Sequence, residues 1–73
     1  MKIPNSAIET TFFNYKGRRY IKDSVYDNEL EANRKAKKLI SQGYLAVVAA
    51  SMCGTLYTSK GFCYVVNKTK RVK

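Results

Sequence analysis

Aromatic and basic side chains are mixed in two segments of this sequence, a combination suited to contact with single-stranded nucleic acid. Aromatic rings stack on bases, at about 1–3 kcal/mol per base, while Lys and Arg bind phosphates. Both segments have β-branched neighbours, so strands of a sheet are expected to position the rings. The predicted contact residues are Tyr15, Lys16, Arg18, Arg19, Tyr20, Lys22, Arg34, Lys38, Lys60, Phe62 and Tyr64.

The net charge points to a polyanionic partner. The 73 residues include 14 Lys and Arg but only 5 Asp and Glu, which gives a net charge of +9. A field of this sign attracts polyanions and accelerates their encounter. The cations form three clusters: Lys16, Arg18, Arg19 and Lys22; Arg34, Lys35, Lys37 and Lys38; and Lys68, Lys70, Arg71 and Lys73. The second cluster also fits a simple solvated helix face.

Catalytic and cofactor chemistry finds little support in the composition. Histidine is absent, which excludes a Ser-His-Asp triad and any His-ligated metal site. A chain of this length cannot easily house a deep substrate pocket. We therefore expect a non-enzyme without cofactor, metal or small-molecule substrate. Cys53 and Cys63 are expected to be free thiols in a reducing cytoplasm. A disulfide between them would close a very short loop, and small secreted domains usually carry several bridges.

The longest uncharged stretch, residues 39–59, is the one candidate for a membrane span in the sequence. Its length is sufficient, but eight Ser, Thr, Gln and Gly residues dilute it, and the solid apolar run covers only residues 44–50. The first residues lack the apolar run of a secretory signal. The sequence therefore predicts no membrane contact and a cytoplasmic location.

The periodicity predicts a small two-layer α+β domain. A hairpin of residues 8–22 turns at Lys16-Gly17, so that Tyr15 opposes Arg18, Phe13 opposes Tyr20 and Phe12 opposes Ile21. A helix over residues 25–42 follows, capped by Ser24 or Asp27 and ended by Gly43. Strands over residues 44–51 and 56–66 complete an antiparallel sheet of about four strands, in ββαββ order, with the helix on one face. Residues 1–73 form a single domain, of which 67–73 are a basic flexible tail.

Strand alternation predicts which side chains share a face of this sheet. One set points at the helix: Phe12, Ile21, Leu45, Val47, Cys63 and Val65. The opposite, uncovered face then carries Phe13, Tyr15, Tyr20, Tyr44, Phe62 and Tyr64, with Arg18 and Lys22 beside them. An error of one residue in the alternation reverses these assignments.

The second aromatic segment resembles a known motif. Residues 60–67 are similar to the RNP1 segment of RRM domains, [KR]-G-[FY]-[GA]-F-V-x-[FY]. Lys60, Gly61, Phe62 and Val65 match it and Tyr64 is a conservative replacement, whereas Cys63 and Asn67 depart from it. The resemblance covers eight residues and implies an RNA-contacting strand. The hairpin is foreign to that fold, so the family's functional residues are not transferred.

Two functions remain open from the sequence. The first is largely sequence-independent nucleic-acid binding, with phosphate contacts from Lys and Arg and base stacking on the sheet aromatics. The alternative is a protein-binding or inhibitor module of the phage or mobile-element type, with homodimerisation left open. Such a module would act on a larger nucleoprotein complex, such as a host defence complex.

Overall fold

The computed structural model describes residues 1–70 and contains five strands, one α-helix and a short 3-10 helix. The strands are β1 (Lys2–Ile3), β2 (Phe12–Tyr15), β3 (Arg18–Tyr26), β4 (Tyr44–Met52) and β5 (Phe62–Lys70). The helix α1 covers Glu29–Ser41, and the 3-10 helix covers Asn5–Ala7. The predicted α+β class with an antiparallel sheet is therefore confirmed.

The order of the strands differs from the simple ββαββ prediction. The sheet runs β1-β3-β5-β4, and β2 also pairs with β3. In β3, Ile21 pairs with Phe12 of β2 on one side and with Lys68 of β5 on the other. Val25 likewise lies between Ile3 of β1 and Val65 of β5. Strands β1 and β2 therefore share one edge of β3, while β5 occupies the other. Consequently β3 and β4 run parallel to each other, with β5 antiparallel between them.

The helix is shorter than predicted at its start. Asn28 is the N-cap, and its side-chain oxygen accepts a hydrogen bond from the Glu31 backbone N–H at 2.9 Å. The predicted caps Ser24 and Asp27 are not used, because residues 18–26 form one strand in which Val25 is buried. Gly43 follows the helix with φ of 98°, the left-handed conformation that favours glycine.

Helix α1 packs on one face of the sheet through small residues. Ala32, Ala36 and Leu39 are buried against Val66. Around them lie partly buried side chains of the sheet, namely Tyr26, Tyr44, Ala46, Val48 and Tyr64. Helical periodicity at 100° per residue predicts that both alanines and Ile40 share one face. The alanines are buried as that pattern predicts, whereas Ile40 is exposed. Small helix residues leave room for the tyrosine rings of the strands.

The predicted alternation holds within the first hairpin but is reversed in the second half of the sheet. Tyr44 and Tyr64 pack towards the helix, whereas Cys63 and Val65 are buried on the opposite face. The prediction assumed that only the helix covers aliphatic side chains. The structure covers both faces, so the aliphatic residues of β5 are not restricted to the helix side.

The second face is covered by the N-terminal segment and by the β4–β5 loop. Ile3 and Ile8 are buried there with Val25 and Val65. From the loop, Cys53 and Tyr57 pack against the same cluster. These contacts add a third, partial layer to the predicted two.

Cys53 and Cys63 form a disulfide with a Cα–Cα distance of 6.0 Å, so the prediction of free thiols was wrong. The ten-residue separation is short, but the loop leaves β4 and returns to β5 as a hairpin, and the register pairs Ser51 with Cys63. The two cysteines are therefore brought together by the sheet itself. The bond fixes the loop over the second face.

The flexible tail was predicted to begin at residue 67, which is too early in the chain. Residues 67–70 belong to β5, paired with both β3 and β4, and Asn67 is buried. The remaining tail residues, 71–73, lie outside the described residues.

Within residues 1–70, no helix has both the length and the apolar character needed to cross a bilayer. The uncharged stretch considered above is divided among the end of α1, β4 and the β4–β5 loop.

Reduction of the disulfide is expected to lower stability. Opening a loop of this length costs on the order of 2–3 kcal/mol through the entropy of the unfolded chain. Thermal unfolding followed by circular dichroism, with and without reductant, measures the change. A Cys53→Ala/Cys63→Ala variant is the control and should not respond to reductant. Two thiols that react with a labelling reagent in the folded, unreduced protein would contradict the bond.

Candidate nucleic-acid interface

The β2–β3 hairpin brings five of the predicted contact residues together. Its two-residue turn is Lys16-Gly17, with φ of 49° and 77°. Positive φ at both positions matches the twist of a tight hairpin. The register pairs Tyr15 with Arg18 and Phe13 with Tyr20, as predicted. Lys16, Arg18 and Arg19 are thereby held within one turn of the chain.

One face of the hairpin carries a row of three aromatic rings. The Phe13 and Tyr15 rings are stacked with centroids 5.9 Å apart, and Tyr15 meets Tyr20 edge to face at 6.2 Å. Tyr20 is only 6% exposed, whereas Tyr15 is 38% exposed. The Lys16 ammonium lies 5.3 Å from the centre of the Tyr15 ring. Tyr15 is therefore the ring of this row best placed to contact a base, with a cation beside it.

The other face of the hairpin combines an arginine with exposed apolar groups. The Arg19 guanidinium lies 4.8 Å from the centre of the Phe12 ring. Phe12 is 43% exposed and its cross-strand partner Ile21 is 53% exposed. Sequence reasoning placed Phe12 in the core, because its alternation matches a core-facing strand. The helix packs mainly over β4 and β5, so this part of β2 stays uncovered.

The topology gathers further cations at the same end of the sheet. Because α1 leads from the end of β3 to the start of β4 and these strands are parallel, its last turn lies near the start of β3. Tyr44 pairs with Lys70, which places the end of β5 there as well. We call this the basic end; its cations are Lys16, Arg18, Arg19, Lys37, Lys38, Lys68 and Lys70.

Acidic side chains are concentrated at the opposite end. Asp27, Glu29 and Glu31 surround the start of α1, and no acid follows Glu31 in the sequence. The N-terminal ammonium donates to Asp27 at 2.6 Å and to Glu31 at 2.5 Å. These hydrogen bonds, to Asp27 first, raise the pKa of the amine. The molecule is 40 Å long and 21 Å wide, so the two charged regions are well separated.

Lys22, a predicted phosphate contact, is engaged within the protein. Its Nζ donates hydrogen bonds to the backbone carbonyl of Asn5 at 2.7 Å and to that of Ile8. The lysine therefore holds the N-terminal segment against the sheet.

The remaining predicted contacts lie apart from the hairpin. Phe62 and Tyr64 stand edge to face at 5.8 Å, and the Lys60 ammonium is 5.8 Å from the Phe62 ring. Phe62 pairs with Met52, at the end of the sheet remote from Lys70. The RNP1-like segment is thus distant from the basic end, and Tyr64 packs under α1. Arg34 and Lys38 are exposed on the helix.

Asp23 connects four parts of the structure at the bulge of β3. The β3–β5 register shifts between Lys22 and Ser24, which leaves Asp23 as the extra residue. Its carboxylate accepts a hydrogen bond from Ser24 and pairs with Lys68 at 3.0 Å and with Lys35 at 3.9 Å. Its backbone carbonyl accepts from the Asn5 side chain at 3.1 Å. Lys35 of the helix is thereby tied to the bulge of β3.

Two opposing effects act on the pKa of Asp23. Burial raises it, but the hydrogen bonds from Lys68 and Ser24 and the charges of Lys68 and Lys35 together outweigh burial, so the pKa is lowered. The ion pairs also commit part of the charge of Lys35 and Lys68 to the protein. Compared with Lys35 and Lys68, the cations of the hairpin turn therefore offer more of their charge to an external anion.

A shallow groove lies on the second face, between the N-terminal segment and β4. It encloses about 200 Å³ and is lined by residues that include Ile8, Phe13, Ala49 and Asn67. This volume is below the range of typical small-molecule sites. Within residues 1–70, His, Cys, Asp and Glu side chains nowhere gather in the groups of three that would hold a metal ion.

Comparison with known proteins gives no relative: the chain matches no family model, no curated protein and no solved structure.

Asp23→Asn is expected to destabilise the protein at neutral pH. The charged pairs with Lys68 and Lys35 are lost, at a cost of about 1 kcal/mol. Since the folded pKa lies below the unfolded value of about 3.9, this stabilisation is present above that value. It is lost as pH falls through the folded pKa.

Urea unfolding at pH 7 and near pH 2 tests the role of Asp23. The difference in unfolding free energy between wild type and Asp23→Asn should shrink towards zero at the lower pH. Glu29→Gln, a change at an exposed acid, is the control. A difference that is the same at both pH values would contradict the assignment.

Proposed function

We propose that the protein is a non-enzymatic nucleic-acid-binding protein that uses its basic end, and in particular the β2–β3 hairpin. The observation that carries the proposal is the segregation of charge along the sheet. The hairpin turn presents Lys16, Arg18 and Arg19 beside an exposed tyrosine, while the acids following β3 lie at the other end. A cationic surface of this kind attracts the phosphate backbone with little dependence on sequence.

The contact area proposed here is narrower than the face expected from the sequence. Tyr15 is the principal stacking ring, and Phe12 with its stacked Arg19 offers a second ring on the other side of the hairpin. A hairpin with one ring on each side suits a flexible single strand, whose bases can unstack and reach either face. We therefore propose a preference for single-stranded over double-stranded nucleic acid.

We propose the cytoplasmic location expected from the lack of an apolar signal in the first residues. The free thiols expected with it are replaced by a disulfide. Disulfides persist mainly in oxidising compartments. The protein-binding alternative, in its homodimeric form, fits another surface, the unpaired edge of β4.

Arg18→Ala/Arg19→Ala is expected to weaken binding and flatten its salt dependence. Each phosphate contact removed should reduce the slope of log K against log salt by about 0.7 for a single strand. Fluorescence anisotropy with labelled oligonucleotides, measured across a salt series, gives both quantities. The matched control is Lys2→Ala/Lys60→Ala, which removes the same charge from two exposed residues outside the basic end. Equal losses for the two variants would show that only net charge matters, and would overturn the hairpin as the site.

Tyr15→Leu is expected to reduce affinity for single strands selectively. Loss of one stacked base costs about 1–3 kcal/mol, whereas binding to duplex phosphates should be almost unchanged. The comparison uses single- and double-stranded oligonucleotides of the same sequence, with Phe62→Leu as the control at the other end of the sheet. Stacking by Tyr15 would be refuted by an equal loss for both ligands.

A further inference from the structure

Strand β4 has a free edge along its whole length. All nine residues, Tyr44–Met52, pair with β5 on one side, in a register without shifts. Among residues 1–70, no other strand pairs with β4. The unpaired N–H and C=O groups of an edge strand form a template for another strand.

Strand β4 lacks four of the features that commonly protect an edge strand. Natural edges are blunted by charged residues, proline, bulges or short length. Residues 44–52 contain no charged residue and no proline. The other side of the sheet is different, because its outer strands have only two and four residues, and Arg19 pairs with Asn14 of the longer one. Protection is therefore confined to one side of the sheet.

We propose that β4 pairs antiparallel with β4 of a second copy of this chain, so that two sheets join into one of ten strands. An antiparallel pair of identical strands is related by a two-fold axis. Because β4 is uncharged, this pairing places no like charges opposite each other. An axis perpendicular to the sheet keeps both helices on one face. On the other face it makes Leu45, Val47 and Ala49 continuous with their counterparts.

The distribution of charge favours this arrangement over a parallel one. β4 starts at the basic end and finishes at the end where Asp27, Glu29 and Glu31 lie. Antiparallel pairing therefore places the basic end of each copy beside the acidic end of the other. A nine-residue strand spans about 30 Å, so the two basic ends are separated by far more than the Debye length of about 8 Å at physiological salt. The net charge of +9 per chain is then compatible with association.

The first test is the mass and the amide exchange of the wild-type protein, without nucleic acid. Light scattering across a dilution series should give twice the mass of one chain at high concentration. Hydrogen exchange followed by NMR should show alternate amides of β4, those directed away from β5, becoming protected as the dimer forms. A monomer at all concentrations overturns the proposal. A dimer without new protection in β4 also overturns it, since another surface would then be the interface.

A pair of adjacent proline variants provides the second test. Successive N–H groups of a strand point to opposite edges, so of Ala49→Pro and Ala50→Pro one removes a bond to β5 and the other an N–H of the free edge. The variant that removes a bond to β5 should lose stability in circular dichroism. The variant that removes an N–H of the free edge should keep the fold and become monomeric. A folded proline variant that dimerises like wild type refutes the interface. If neither variant folds, the exchange pattern of the wild type decides.

The proposed β4 pairing does not rest on nucleic-acid binding, so either of these two proposals can fail without the other.

Discussion

Both faces of the sheet bury aliphatic side chains, but the single helix reaches only one of them. The second face is closed by residues distant in the chain: Ile3 and Ile8 before the hairpin, and the loop fixed by Cys53–Cys63. Other features of the structure serve this closure. The N-terminal segment is held by the Lys22 ammonium on its carbonyl groups and by the contact of Asn5 with the bulge at Asp23. Residues 1–70 form no second α-helix that could cover this face, so short contacts of this kind take its place.

The same closure explains how the hairpin becomes available as a surface. Cover on the second face stops at the N-terminal segment, and α1 lies over β4 and β5 on the first. The turn at Lys16-Gly17 therefore extends beyond both covers. Its side chains contact each other, as in the Phe13–Tyr15 and Arg19–Phe12 pairs. The exposed part of the sheet is thus also the part richest in ring–ring and ring–cation contacts.

Features that depend on neighbouring residues could be predicted from the sequence, while those that depend on distant contacts could not. The hairpin register follows from one turn, and the Ala32–Ala36 face follows from helical periodicity. The bulge at Asp23 gives no local signal, because it arises where β3 must pair with β1 and β2 on one side and β5 on the other. The side chains of β5 point to the faces opposite to those predicted, and this reversal also arises from pairing with distant strands.

For the candidate site, the sequence identified the hairpin residues. The separation of Lys60, Phe62 and Tyr64 from them depends on the direction of β5. The disulfide was missed because the short loop and the small number of cysteines argued against it, and the hairpin that joins its ends was not considered.

The unequal edges of the sheet limit how far strand pairing can extend. If β4 pairs with its own copy, each chain uses its single long edge, and the strands left outermost are β1 with two residues and β2 with four. Such short, interrupted edges give a third chain little to pair with. Two-fold pairing of one edge is a closed arrangement, in contrast to head-to-tail pairing of two different edges, which continues into a filament. Under this pairing, an uncharged β-strand that would otherwise promote fibre growth is restricted to an assembly of defined size.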